Sequence, residues 1–256
     1  MWKGIIFCDI DGTLLPHGQK AISEEIFSLI KEARQSHYLF CISSGRFHRS
    51  MIPLFEPVQD DVVFSASNGS RIIYQGNDII PNASIDPLLA EEIYEKLHAQ
   101  KATALISTTE HLYYNSDYMT AERFLAYQQS SYARQFEHFF QVKGEILQIT
   151  FLCLEHLEQI LAFSRQTWGH QTKIAISGKN MFDISASSKG ESLIKVSNAF
   201  KVPVSHTYAF GDDENDLSML RAAGQGFLMS SGSDSLKTLH PHHSSDIVKT
   251  IRTIIQ

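Results

Sequence analysis

Gly4 to Ile10 is a short apolar run, rich in isoleucine, that is bounded by Gly12 and carries Asp9 and Asp11 at its far end. Continuous apolar character without polar alternation marks a strand buried on both faces, as in parallel sheets. A parallel strand needs a crossover. Ile22, Ile26, Leu29, Ile30 and Ala33 supply one at helical spacing, with Ser23 as its N-cap and Glu24 and Glu25 in the first turn. Tyr38 to Ser43 and Asp61 to Ser65 read as further buried strands, and Arg71 to Tyr74 with Asp78 to Ile80 flanks a Gly76-Asn77 turn that predicts a hairpin. The same rhythm returns after Lys189, with a helix over Leu193 to Phe200, a strand over Thr207 to Phe210, a helix over Leu217 to Ala223 and a strand over Gly226 to Met229.

Between these stretches the texture differs. Leu88 to Ala99 is an amphipathic helix, Ala102 to Ser107 and His111 to Asn115 are strand-like, and Thr120 to Ser130 reads as a polar helix. Ile146 to Leu154, a helix over Glu155 to Trp168, and strand-like runs at Lys173 to Ser177 and Met181 to Ser185 continue a mixed α+β pattern. The expected organisation is an α/β core of doubly wound, Rossmann-like parallel sheet over 1–81 and 186–256, interrupted by an α+β insertion over 82–185.

Composition narrows the function. The 256 residues, 43% hydrophobic and 20% charged, exceed one average domain and exclude a disordered or coiled-coil chain. Lys and Arg total 22 against 28 Asp and Glu, a net charge of -6 with no basic cluster, which argues against a nucleic-acid partner. Three separated cysteines, Cys8, Cys41 and Cys153, form no closed disulfide framework, so a reducing cytoplasm is expected. The apolar run before Asp9 is too short for a signal peptide, and none approaches the roughly 20 residues of a spanning helix, so a soluble protein without a membrane partner is expected.

Side chains two apart on a strand share a face, so Asp9 and Asp11 can point into one site at the carboxyl end of the first strand, where open α/β sheets bind ligands. Gly211-Asp212-Asp213-Glu214-Asn215-Asp216 follows another apolar strand and packs four carboxylates into five positions. A helix dipole favours acids at its start by about 0.3–1 kcal/mol each, but mutual repulsion opposes so many, and a bound cation would relieve it. Hard oxygen ligands with no nearby His or Cys point to Mg²⁺ rather than zinc.

These segments resemble the haloacid dehalogenase-like (HAD) hydrolases, which are mostly phosphatases. Asp9-Ile10-Asp11-Gly12-Thr13 is similar to the first motif of that family, Ser44 before Gly45-Arg46 to the second, Lys189-Gly190 to the third, and Gly211 to Asp216 to the fourth. The insertion between the second and third resembles the type IIB cap of the Cof-like subfamily, as do Asn68-Gly69, the spacing to Lys189 and the Ala223-Gly224 segment. Ser230-Ser231 after Met229 departs from the subfamily's usual residues.

The resemblance implies a Mg²⁺-dependent phosphatase acting on small phosphate monoesters, sugar phosphates above all, through an aspartyl-phosphate. Asp9 would be the nucleophile and Asp11 the acid and base. Asp212, the Asp9 carboxylate and the Asp11 carbonyl would hold Mg²⁺, with Asp216 or Asp213 orienting them. Ser44, Gly45 and Lys189 would bind the phosphoryl group, and Asn215 would position Lys189. Arg46 is either a surface side chain or a second substrate contact. Two alternatives remain open at this level, a phosphomutase and a non-catalytic sugar-phosphate-binding module.

Other features read more simply. His240, His242 and His243 around Pro241 are expected in a flexible loop, Cys8 on the strand face opposite Asp9, and Tyr113, Tyr114, Phe136, Phe139 and Phe140 mainly in a core. Lys189, placed near a helix start, opposes the dipole there, which makes a purely structural role for it harder to sustain.

Overall fold

The computed structural model describes residues 1–117, 119–120, 123, 126, 128–240 and 242–256. In chain order it lays down β1 (Gly4–Cys8), α1 (Glu24–Gln35), β2 (Tyr38–Ser43), β3 (Val62–Ala66), β4 (Arg71–Tyr74) and β5 (Asn77–Asp78). There follow α2 (Pro87–His98), β6 (Thr103–Thr108), β7 (Leu112–Tyr114), β8 (Ala133–Gln135), β9 (Ile146–Leu152), α3 (Leu157–Trp168), β10 (Lys173–Gly178) and β11 (Met181–Ser185). The last part contributes α4 (Lys189–Ala199), β12 (Thr207–Gly211), α5 (Leu217–Ala222), β13 (Gln225–Met229), α6 (Asp234–Leu239), β14 (His243–Ser244) and α7 (Ile247–Ile255). The helix expected over Thr120 to Ser130 includes residues 121, 122, 124, 125 and 127, which lie outside the described ones.

The chain divides into two compact units, Met1–Asn82 with Ser188–Gln256, and Ala83–Ser187. In the first, eight strands run in the order β14-β13-β12-β1-β2-β3-β4-β5, parallel from β14 through β3 and antiparallel at β4 and β5. β1 shows why its residues must all be apolar. Ile6, Cys8 and Ile10 pack with Ile26, Leu29, Ile30 and Ala33 of α1 on one face, while Ile5 and Phe7 pack with Leu193 and Val196 of α4 on the other. Alternate residues of one strand thus serve two helical layers, and the expected burial of Cys8 among apolar neighbours is observed.

The second unit is a six-stranded sheet in the order β10-β11-β9-β6-β7-β8, antiparallel except between β7 and β8. Ile93, Leu97, Ile160, Leu161 and Trp168 of its two helices share a core with Ala104, Ile106, Ile149, Phe151, Phe182 and Ile184 of the sheet. Tyr113, Tyr114, Phe136 and Phe139 are buried as core, whereas Phe140 is 70% exposed and stacks on His138.

Four details differ from the sequence expectation. The hairpin turn is Gln75-Gly76, one residue earlier than Gly76-Asn77, with φ of 49° and 77°. A two-residue turn with both central residues left-handed matches the twist of the strands it joins, and it leaves Ile79 and Ile80 outside β5. Helix α4 begins at Lys189 rather than Leu193, because Ser188 and Glu191 form a reciprocal capping box. His240 and His243 are not in a loose loop: His240 is buried with Nε2 bonded to the Gly226 carbonyl at 2.8 Å, and His243 opens β14 beside β13. Ser23 occupies the N-cap of α1, but its hydroxyl makes no capping bond.

Helices α4 and α5 meet at Gly190, where a Cβ would lie 2.4 Å from the Ser218 carbonyl oxygen. Gly190→Ala therefore forces the two helices apart, and a loss of about 1–3 kcal/mol is expected from overpacking. Urea unfolding of the variant with an unchanged midpoint would contradict this close approach.

Candidate active site

β1 and β12 are adjacent and parallel, with Cys8 opposite Phe210. The chain builds β2 and β3 to one side of β1 and β12 and β13 to the other, so the strand order reverses here and opens a crevice at the carboxyl ends. Asp9 follows β1 and Asp212 follows β12, which places both at that crevice. The Asp9 backbone N–H donates to the Phe210 carbonyl at 3.0 Å, extending the pairing one residue past the strand.

Lys189 joins the third corner. From the first turn of α4 its Nζ donates to Asp9 Oδ1 and to Asp216 Oδ1, each at 2.6 Å, with the ammonium buried. Asp216 uses its other oxygen to accept from the backbone N–H groups of Asp212 at 2.9 Å and Asp213 at 3.0 Å, which fixes the loop after β12. Asp212 Oδ1 accepts from the Thr13 hydroxyl at 2.7 Å. Gly12, at φ +86°, leaves the space Asp212 occupies: a Cβ there would lie 2.0 Å from Asp212 Oδ2. Ligand oxygens of Asp9, Asp212 and Asp216 all fall within 4.8 Å of one another.

The electrostatics of this cluster are unbalanced. Burial pushes the Asp9 carboxyl up to about 8, and the nearby Asp216 and Asp212 add to the rise while Lys189 opposes it. Asp212 is pushed up to about 6, by burial first and then by Asp216 and Asp213. Asp213 is also raised, mainly by burial. Burial works against the Lys189 charge, but Asp216 and Asp9 hold the ammonium protonated, above the ordinary lysine range. A single ammonium among buried carboxylates leaves excess negative charge, and an all-oxygen donor set of this kind could hold a hard divalent cation.

The second strand brings a different group. Ser44 follows β2, is buried, and donates its backbone N–H to the Ser65 carbonyl at 2.9 Å. Its hydroxyl accepts from the Arg46 backbone N–H at 3.2 Å, spanning Gly45. The Arg46 guanidinium forms a two-bond pair with Asp11. After β3, Ser67, Asn68 and Gly69 are all left-handed, with φ of 49°, 53° and 88°. In that turn the Ser67 and Asn68 N–H groups reach the carbonyls of Arg46 and Ser44, each at 3.0 Å.

The structure therefore gathers Asp9, Lys189, Asp212 and Asp216 into one buried cluster and joins Asp11 to Arg46. Three expected arrangements differ. β1 ends at Cys8, so a turn rather than strand alternation carries Asp11. Asn215 Nδ2 donates to Asn68 Oδ1 at 3.3 Å, whereas the Lys189 ammonium donates to the carboxylates of Asp9 and Asp216. The Asp213 carboxylate caps the short turn Glu214–Asp216, accepting from the Glu214 N–H at 2.7 Å. Sequence reasoning assigned no role to Thr13 or to Ser231, whose hydroxyl donates to the Gly12 carbonyl at 3.2 Å. A Thr two residues beyond Asp11 is the available signal for the first, and the Ser230-Ser231 departure after Met229 for the second.

The profile of the haloacid dehalogenase-like hydrolases matches residues 6–247. The chain belongs to that family. Among curated relatives of this HAD-like hydrolase, phosphatase YwpJ of Bacillus subtilis is 24% identical over 263 residues, covering 92% of each protein. The pyridoxal phosphate phosphatase YbhA of Escherichia coli is 25% identical over 257 residues, covering 93% of this chain and 91% of the relative. Among solved structures, the HAD subclass IIB sugar phosphatase BT4131 superposes with a TM-score of 0.85 at 18% identity, over 99% of this chain and 100% of that one. A haloacid dehalogenase-like hydrolase from B. subtilis gives 0.85 at 20% identity, over 97% and 99%. The HAD-like hydrolase is thus a phosphoric monoester hydrolase with the subclass IIB fold. Among its described residues no helix is long and apolar enough to cross a membrane.

Proposed function

We propose that this HAD-like hydrolase is a Mg²⁺-dependent phosphatase of small phosphate monoesters, sugar phosphates foremost, and that it works through an aspartyl-phosphate on Asp9. The observation that carries the reading is the Lys189 ammonium held between Asp9 and Asp216 beside Asp212. It fixes one carboxylate oxygen of Asp9 and provides positive charge where a phosphoryl oxygen would gather negative charge.

In the first step Asp9 attacks phosphorus, the ester P–O bond breaks, and the leaving oxygen takes a proton from Asp11. In the second, water attacks the aspartyl-phosphate, its proton passes to Asp11, and the bonding electron pair returns to Asp9. Ser44, with Gly45 beside it, closes the phosphoryl pocket from the β2 side, and Asn215 stiffens that wall through Asn68. Asp9, Asp212 and the Asp11 carbonyl are the groups that would hold Mg²⁺. Asp216 orients them, since its carboxylate is already engaged by the backbone N–H groups of Asp212 and Asp213, while Asp213 caps the adjacent turn. When bound, the ion offsets the repulsion between the carboxylates and the substrate phosphate.

We assign catalysis to the unit Met1–Asn82 with Ser188–Gln256, and read Ala83–Ser187 as the cap. The core groups named act on the phosphoryl group, the oxygen it leaves and the metal, and none is assigned to the rest of the substrate, so selectivity among esters is assigned to the inserted unit. The relatives support small substrates: one is a pyridoxal phosphate phosphatase and one structural neighbour a sugar phosphatase. We also read the setting as cytoplasmic, because Cys8, Cys41 and Cys153 are all buried and none is paired with another.

Excess EDTA is expected to stop phosphate release from nitrophenyl phosphate, and added Mg²⁺ to restore it. Full turnover in the chelator contradicts the metal assignment, and conversion of a sugar phosphate to an isomer without free phosphate contradicts hydrolysis.

A further inference from the structure

Arg46 meets Asp11 with a planar fork: Nε donates to Oδ2 at 2.8 Å and Nη2 to Oδ1 at 2.5 Å. Two parallel bonds fix the plane of a carboxylate as well as its distance, which an ammonium cannot do. Asp11 needs such a partner. Its side chain is 50% exposed and stands in the turn beyond β1, where core packing does not select its rotamer. Arg46 is itself anchored, by its N–H to the Ser44 hydroxyl at 3.2 Å and by its carbonyl to the Ser67 N–H at 3.0 Å. The base of the fork is thereby tied to the end of β2 and to the left-handed turn after β3.

We infer that Arg46 is a positioning residue that sets the Asp11 carboxyl toward the leaving oxygen, and not a ligand of the transferring phosphoryl group. The inference rests on the reading of Asp11 as proton donor and acceptor. A carboxylate offers about four lone-pair directions, and the fork takes one on each oxygen. The remaining directions are left to carry the proton that Asp11 gives to the leaving oxygen and later to receive one from water. Both transfers use the same carboxyl, so both depend on its orientation.

The test is a leaving-group series. kcat/KM reports the step in which the ester bond breaks, and a nitrophenolate departs without help whereas an alkoxide must be protonated. General acid catalysis contributes about 10²–10⁴-fold. Arg46→Lys and Arg46→Gln are therefore expected to lower kcat/KM on an alkyl phosphate by about 10²-fold or more, but on nitrophenyl phosphate by less than about 10-fold. Lys retains the charge and loses the fork, so it separates geometry from electrostatics and serves alone if the Gln variant does not fold. In an Asp11→Asn background, Arg46→Lys should add less than about threefold, because residues acting as one unit are not additive. An equal loss across the series that persists in that background overturns the inference and makes Arg46 a phosphate ligand. Undiminished alkyl phosphate hydrolysis by Asp11→Asn, with Arg46 intact, overturns it differently, by removing the role of Asp11 itself.

Discussion

Asp9→Asn is expected to give a folded protein whose kcat on an aryl phosphate is lower by at least about 10³-fold, equivalent to about 4 kcal/mol of barrier. The amide keeps the shape of the carboxylate, and its oxygen can still accept the hydrogen bond from Lys189, so the cluster survives the change. What is lost is the proposed nucleophile. A variant retaining a tenth of the wild-type rate rules out Asp9 in that role. The same substitution makes a second readout. Folding raises the Asp9 carboxyl from the ordinary 3.8 to about 8, chiefly through burial, so the folded protein binds that proton more tightly than the unfolded chain. Without metal, its contribution to stability is present at acid pH and is lost as the pH rises from about 4 to about 8. Asp9→Asn should flatten this decline in urea unfolding measured across pH with EDTA present, and an unaltered slope contradicts the assignment.

Lys189→Met should damage both stability and activity. Wild-type Lys189 is 1% exposed and answers two buried carboxylates. Methionine leaves Asp9 and Asp216 buried without a counter-charge, a class of change that costs about 3–5 kcal/mol. On the proposed mechanism kcat should fall by at least about 10²-fold, because the charge assigned to the phosphoryl group is removed. Adding Asp216→Asn to Lys189→Met should recover part of the stability, since one orphaned charge disappears, without recovering turnover. A double variant no more stable than Lys189→Met shows that the ammonium does not compensate Asp216, and the account of the cluster then fails.

The amino-acid order by itself determined a good deal of this protein. Burial on both faces made β1, β2, β3 and β12 predominantly apolar, and that signal is local enough to read residue by residue. The acidic residues stand directly after two of those strands, so their place at the sheet's carboxyl end follows from strand direction alone. Family membership was equally legible, because its motifs are short and keep their order. Local polar geometry was less so. The three-residue β8 has no periodicity to reveal it, and Gln75 gives no sign that it adopts φ 49° in the hairpin turn. The capping box at Ser188 and Glu191 was present in the sequence, and it moves the helix start back to Lys189.

Only the tertiary structure decided which charges meet. Lys189 lies 180 residues from Asp9 and 27 from Asp216, and Thr13 lies 199 from Asp212. No spacing rule spans such separations; the parallel pairing of β1 with β12, and the packing of α4 against α5, bring these groups within hydrogen-bond reach. The same holds for Arg46, which as a residue type suits either a phosphate or a carboxylate. Its partner is chosen by the turn that carries Asp11 past the strand end and by the backbone bonds that fix Arg46 beside it. Hydrophobic periodicity acts over a few residues and so is written locally, whereas the pairing of buried charges depends on distances set only once the sheet has closed.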